Sequence, residues 1–97
     1  MATISSDILA SYAADAACEV DGVESLVESS LHRHRGVRVF EEEGSVGVEL
    51  HLAIAWGVSI PTVGVAVQER VAGYLNRMAQ VEPARVDIVI EVIGPPP

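Results

Sequence analysis

A chain of 97 residues is enough for one domain with one core and leaves little for a second. Hydrophobic residues are 49% and aromatics 4%, so Val, Ile, Leu and Ala must build that core. The charged set is 14 acidic residues against 6 basic ones, all Arg, for a net charge of −8. That balance opposes binding to nucleic acid or an anionic lipid surface, and the lack of Lys excludes a phosphate-loop lysine or a Schiff base.

Met1 to Asp7 carries no basic stretch and no signal-peptide core, and no apolar run is long enough to span a membrane, so a cytoplasmic protein is expected. Ser5 or Ser6 can cap a helix, with Asp7 in its first turn against the positive end of the dipole. Ile8, Tyr12, Ala16 and Val20 follow at helical spacing, with Leu9, Ala13 and Ala17 beside them, which predicts a helix over about 5–19. Gly22 is free to end it with positive φ.

Alternation over Val23 to Ser30 suits a short strand, and the Arg-His segment from Leu31 to Gly36 reads as a turn or as the exposed end of that strand. A second strand covers 37–42, and Glu43-Gly44-Ser45 turns the chain into the clearest strand, 46–56. There Val46, Val48, Leu50, Leu52, Ile54 and Trp56 all fall on one side. Three strands in series predict an antiparallel meander.

After Gly57 the period changes. Pro61 suits a helix start, and Ile60, Val63, Val67, Val71, Leu75 and Met78 form an apolar stripe that Glu82-Pro83 interrupts. Val86, Ile88, Ile90 and Val92 alternate in a last strand, and Gly94 to Pro97 is a short Pro-rich tail. The whole chain, 1–97, is therefore expected to be one α+β domain of order α-β-β-β-α-β. Two helices pack on one side of a small mixed sheet of about four strands, with 46–56 and 85–93 parallel through a right-handed crossover.

Three stretches together resemble the alkaline shock protein family of bacteria, also called envelope stress response or general stress proteins. The first is Glu19-Val20-x-Gly22-Val23-x-x-Leu26 after a small-residue helix. The second is the alternating strand, Trp56-Gly57, Ile60-Pro61, Val67-Gln68-x-x-Val71 and Leu75-x-x-Met78. The third is Val86-Asp87-Ile88-x-Ile90. They span nearly the whole chain in order. The chain departs from the family in having Trp56 where Tyr is frequent and in having no Lys. The resemblance implies a cytoplasmic protein tied to cell-envelope homeostasis, in some members recruited to the membrane by a separate anchor protein. It supplies no catalytic residue.

Candidate chemistry is thin. His32 and His34 fall on the same side of an extended chain and could share one metal ion, but a site needs further ligands. His51 lies on the non-core side of the strand 46–56, without a Ser, Cys or carboxylate partner implied by spacing, and reads as solvated or strand-paired. Cys18, the single cysteine, excludes an intrachain disulfide and reads as a small buried hydrophobe. Glu41-Glu42-Glu43 reads as a solvated hairpin tip and Gly64 as a point of close packing within the domain, while Trp56 either caps the core, which its parity favours, or anchors a partner.

The expectation is a non-enzymatic interaction or scaffold module with no catalytic, cofactor-binding or metal-binding residue and no cofactor. Its partners are a protein, such as a membrane-associated anchor, or further copies in a homo-oligomer, with neither nucleic acid nor direct membrane insertion. Any place at the membrane is peripheral and borrowed from a partner. An outer sheet face carrying Ala53, Ala55, Val89 and Ile93 beside His51 and Glu91 is the expected assembly surface. The alternative is a metal- or small-molecule-binding protein or enzyme built on His32, His34 and His51.

Overall fold

The structure, a computed structural model, describes residues 5–28 and 35–95, and of Val92 the backbone alone. The elements in chain order are α1 (Ser6–Cys18), β1 (Val23–Leu26), β2 (Val37–Glu42), β3 (Ser45–Ile54), α2 (Ile60–Ala79) and β4 (Arg85–Ile93). This is the expected α-β-β-β-α-β order. The first strand is shorter than its alternation suggests, and the third stops at Ile54, two residues before Trp56.

β3 organises the sheet. Along one edge it pairs in parallel with β4, from Gly47 opposite Arg85 to Ile54 opposite Ile93. Its other edge is shared by two antiparallel strands, with β2 against Ser45 to Leu50 and β1 against Leu52 to Ile54. The parallel pair was legible in the sequence, whereas the meander is not what forms: β1 pairs with β3, not with β2. Ten residues of β3 are long enough to seat both short strands end to end.

The seam between them falls at His51. Its backbone N–H donates to the Gly36 carbonyl at 3.0 Å, and its carbonyl accepts from the Val27 N–H at 2.8 Å. Gly36 has φ 79°, and a Cβ there would sit 2.7 Å from the Val27 oxygen, so only glycine lets the two strand ends meet.

Alternation along β3 sorts the faces. Val48, Leu50, Leu52 and Ile54 point towards the helices and are essentially inaccessible. α1 meets them with Leu9, Ala10, Ala13, Ala14, Ala16 and Ala17. Five of those six are Ala, so the helix can lie close on the sheet. Ile8 is 45% exposed, so the buried stripe is centred on Leu9 and the alanines rather than on Ile8 and Tyr12. α2 buries Val63, Val67, Val71 and Leu75 at i, i+4 spacing, as its periodicity predicts, while Ile60 and Met78 at its ends remain exposed.

Ser5 caps α1 through its side-chain oxygen, which accepts from the Asp7 and Ile8 N–H groups, and Ser59 caps α2 in the same way towards Thr62. The two helices are joined by an edge-to-face contact of Tyr12 with Tyr74, 5.9 Å between centroids, and by an Arg70–Glu19 ion pair at 2.8 Å.

Leu52 is fully buried at the centre of this core. Leu52→Ala should lower stability by about 2–5 kcal/mol, measured by denaturant unfolding, whereas Ile8→Ala should cost well under half of that.

Candidate functional site

Two surface features stand out, one on the outer face of β3 and one just past its C-terminal end. The first is the sheet face turned away from the helices. Glu49 and His51 project from β3 on that side, Arg38 and Phe40 from β2, and Asp87 and Glu91 from β4, the alternation fixing each one. Arg38 Nη2 lies 3.3 Å from Glu49 Oε1. Glu49 Oε2 lies 2.8 Å from His51 Nε2, and His51 Nδ1 lies 2.5 Å from Glu91 Oε1. The result is a charge ladder across three strands with the imidazole between two carboxylates. Beside it Arg85 pairs with Glu42 and Asp87, and the guanidinium groups of Arg38 and Arg85 lie 4.6 and 5.5 Å from the Phe40 ring centroid.

His51 is the buried polar residue of this face, 7% exposed. Burial disfavours its charged form and is the largest single influence; hydrogen bonds to Glu49 and Glu91, helped by their negative charge, outweigh it. The balance raises the pKa of His51 above its ordinary 6.5. Both ring nitrogens face carboxylates, an arrangement only an imidazolium satisfies fully, because neutral imidazole has one N–H.

This corrects the reading of His51 as solvated. Its non-core placement holds, but Glu49 two residues earlier on the same face and Glu91 across the parallel pair enclose it. The signal was present: alternation and the parallel register bring the three together. The two carboxylates lie on opposite sides of the ring, so they do not converge on one point, and the described residues contain no cluster of three or more such side chains able to hold a metal. His32 and His34 lie outside the described residues.

The second feature is apolar. β3 ends at Ile54, so the strand parity that placed Trp56 in the core no longer governs it. Trp56 sits in the turn after the strand and is 55% exposed, beside Ile60 at 42% and Ile93 at 47%. These side chains, with Val58, rim an open depression of about 300 Å³ at the end of the parallel strand pair. Gly57 makes the turn with φ 90°, and a Cβ there would meet nothing within 4 Å, so its requirement is one of backbone conformation and not of space.

The remaining candidates divide. Cys18 is exposed, not buried, because it is the last residue of α1 and points away from the core. Gly64 is not a close-packing point, since an added Cβ would meet nothing. The Glu41–Glu43 tip is exposed as expected, with Glu43 and Gly44 both at positive φ in the hairpin turn, and Glu42 holds Arg85. The outer face is less apolar than expected. Ala53 is covered at 7%, Val89 is 37% exposed, and the charge ladder occupies the middle.

Two helices on one face of a mixed four-stranded sheet define a small α+β module. Solved structures share that architecture. Two MamM CTD variants superpose on it, one with a TM-score of 0.56 at 10% identity, covering 88% of this chain and 94% of that one. The other, a cadmium form, has a TM-score of 0.57 at 12% identity, covering 89% and 94%. At such identities the likeness is one of fold alone.

Sequence narrows the class. The chain matches the model of the alkaline shock protein 23 family, of cell envelope-related function, over residues 1–94, and it belongs to that family. An uncharacterized protein of Streptococcus pyogenes serotype M6, Spy1535, is 33% identical over 86 residues, 80% of this chain and 67% of its own length.

Two outcomes are expected. Because the folded-state pKa of His51 is raised, its contribution to stability is fully present below about pH 6.5 and is lost as pH rises through the folded pKa. The melting temperature of the wild type should therefore fall towards that of His51→Gln as pH rises above about 6.5, and parallel curves would show that the imidazolium bridge contributes nothing. Gly57→Val should cost about 1–2 kcal/mol in denaturant unfolding, since a β-branched residue must enter the left-handed region there.

Proposed function

We propose that this chain is a non-enzymatic protein-contact module serving the cell envelope from the cytoplasmic side, with any membrane localisation borrowed from a protein partner. The observation that carries the reading is the exposed Trp56–Ile60–Ile93 cluster around its shallow depression. A Trp more than half exposed among aliphatic side chains is the composition of an interface anchor, and it sits in the short turn that joins β3 to α2. Net charge −8 opposes contact with an anionic leaflet, and no described helix is long and apolar enough to cross a membrane.

The alternative built on His32, His34 and His51 draws no support from His51. Both of its ring nitrogens are engaged by carboxylates, which leaves no lone pair for a metal or a proton transfer without dismantling the ladder.

A pair of assays tests the proposal. Protein-free anionic vesicles should not sediment the chain at physiological salt, and a membrane protein should be recovered with it from lysate. Trp56→Ala should weaken that capture by about 30-fold while leaving the melting temperature nearly unchanged. Tight binding to bare vesicles, or undiminished capture by Trp56→Ala, would overturn the reading.

A further inference from the structure

β4 has a second edge. Its backbone pairs with β3 on one side, and among the described residues no strand pairs with the other. The opposite edge of the sheet is divided between two short strands, so β4 is the longest continuous edge, nine residues from Arg85 to Ile93. It has no Lys or Pro within its length, and its charged residues, Arg85, Asp87 and Glu91, all lie on the outer face. Its one irregularity comes late, where Glu91 and Val92 together oppose Ala53.

The direction of its free groups can be read from one contact. Gln68 Nε2 on α2 donates to the Val86 carbonyl at 2.9 Å. That carbonyl therefore faces away from β3. Alternate residues of a strand address alternate edges, so the backbones of Ile88 and Ile90 face the same way. The side chains of these three residues point to the core side, yet they are only half-buried, whereas Val48, Leu50 and Leu52 opposite them on β3 are completely covered. The described residues leave the β4 side less covered than the β3 side.

We propose that a second copy of this chain supplies it, by antiparallel pairing of β4 with β4 about a twofold axis at Ile88. In that register Ile88 faces Ile88 of the second copy, and Val86 faces Ile90. All are residues whose N–H and C=O groups already point outwards, so the ladder forms without rotating either strand. On the outer face the same register sets Arg85 opposite Glu91 and Asp87 opposite Val89. Each Arg85–Glu91 pair occurs twice by symmetry, and no like charges are opposed. Glu91 uses Oε1 for His51, and its side chain is 42% exposed, so it can accept Arg85 of the second copy as well.

The flank of α2 beside this edge agrees. The residues on the same side of the helix as Gln68 are Gly64, Val65 and Ala72, without charge, while Glu69, Arg70 and Arg77 lie elsewhere around the helix. Val65 is 52% exposed and Gly64 has open space above it. A neighbouring chain can thus approach the β4 edge along an uncharged wall. Gln68 is the side chain that occupies that edge among the described residues, and it gives up the Val86 carbonyl when an inter-chain N–H replaces it.

The paired stretch, Arg85 to Glu91, stops short of Ile93 of the Trp56 cluster, and the test uses the purified chain alone, so the pairing stands or falls independently of any foreign partner. Sedimentation equilibrium of the full chain from about 1 μM to 1 mM, in roughly 0.15 M salt, should show a monomer–dimer equilibrium. Arg85→Glu should weaken the dimer about tenfold, Glu91→Arg likewise, and the double exchange should restore most of the loss. Melting curves run alongside separate association from the His51 partner that Glu91→Arg removes.

Ile88→Pro removes an N–H that faces the free edge and not β3, so its far-ultraviolet circular dichroism should remain native while the dimer disappears. A monomer at every concentration overturns the proposal. So does a dimer indifferent to both charge reversals, or one lost on Trp56→Ala and kept in the β4 variants. Should Ile88→Pro fail to fold, the Arg85–Glu91 exchange decides alone.

Discussion

A strand has two edges, and β3 has three partners. The rest of the architecture depends on how that mismatch is resolved. β4 takes one edge for itself through a helical crossover, as a parallel neighbour must. β1 and β2 divide the other, meeting at His51, where Gly36 lets the chain ends approach and the His51 backbone holds both. The same residue carries the imidazole that ties β3 to β4 on the outer face. Backbone and side chain of one position thus join all four strands, the first through uncharged ladder bonds and the second through charge.

The two faces of the sheet are stabilised by different physics. Helix-facing residues of β3 exclude water completely, and their contribution scales with buried apolar area. The outer face is a half-wet lattice of carboxylates, guanidinium groups and one buried imidazole. Its exposed ion pairs count for little individually, and the buried His51 is the member whose charge state matters. Such a face leaves modest apolar surface for assembly. The apolar exposure is displaced to the sheet's end at Trp56 and to its β4 side.

Much of the fold was legible because it depends on local period. Alternation in 46–54 and 85–93, and the i, i+4 stripe of Val63, Val67, Val71 and Leu75, depend only on neighbours in sequence. What was not legible depends on where elements end. Trp56 kept strand parity in the sequence but lies beyond the last ladder bond of β3, so it turned outwards. Cys18 closes α1 and is exposed for the same reason. The meander failed because local alternation does not count edges; only the length of β3 allows two strands to share one. The environment of His51 was readable only by combining two levels, the alternation that puts Glu49 on its face and the parallel register that brings Glu91 from forty residues away.

The placement of the indole changes how this molecule can be watched. Trp56 is the chain's only tryptophan, and it is already in contact with water in the folded state. Unfolding moves the indole from one aqueous environment to another, so its emission shifts little when the core melts. Anything that seats itself in the depression beside Ile60 and Ile93 dries the ring and moves the emission to shorter wavelength. The two tyrosines, packed edge to face between the helices, respond instead to loss of tertiary structure. Occupancy and unfolding therefore report through separate chromophores in the native sequence, without any label.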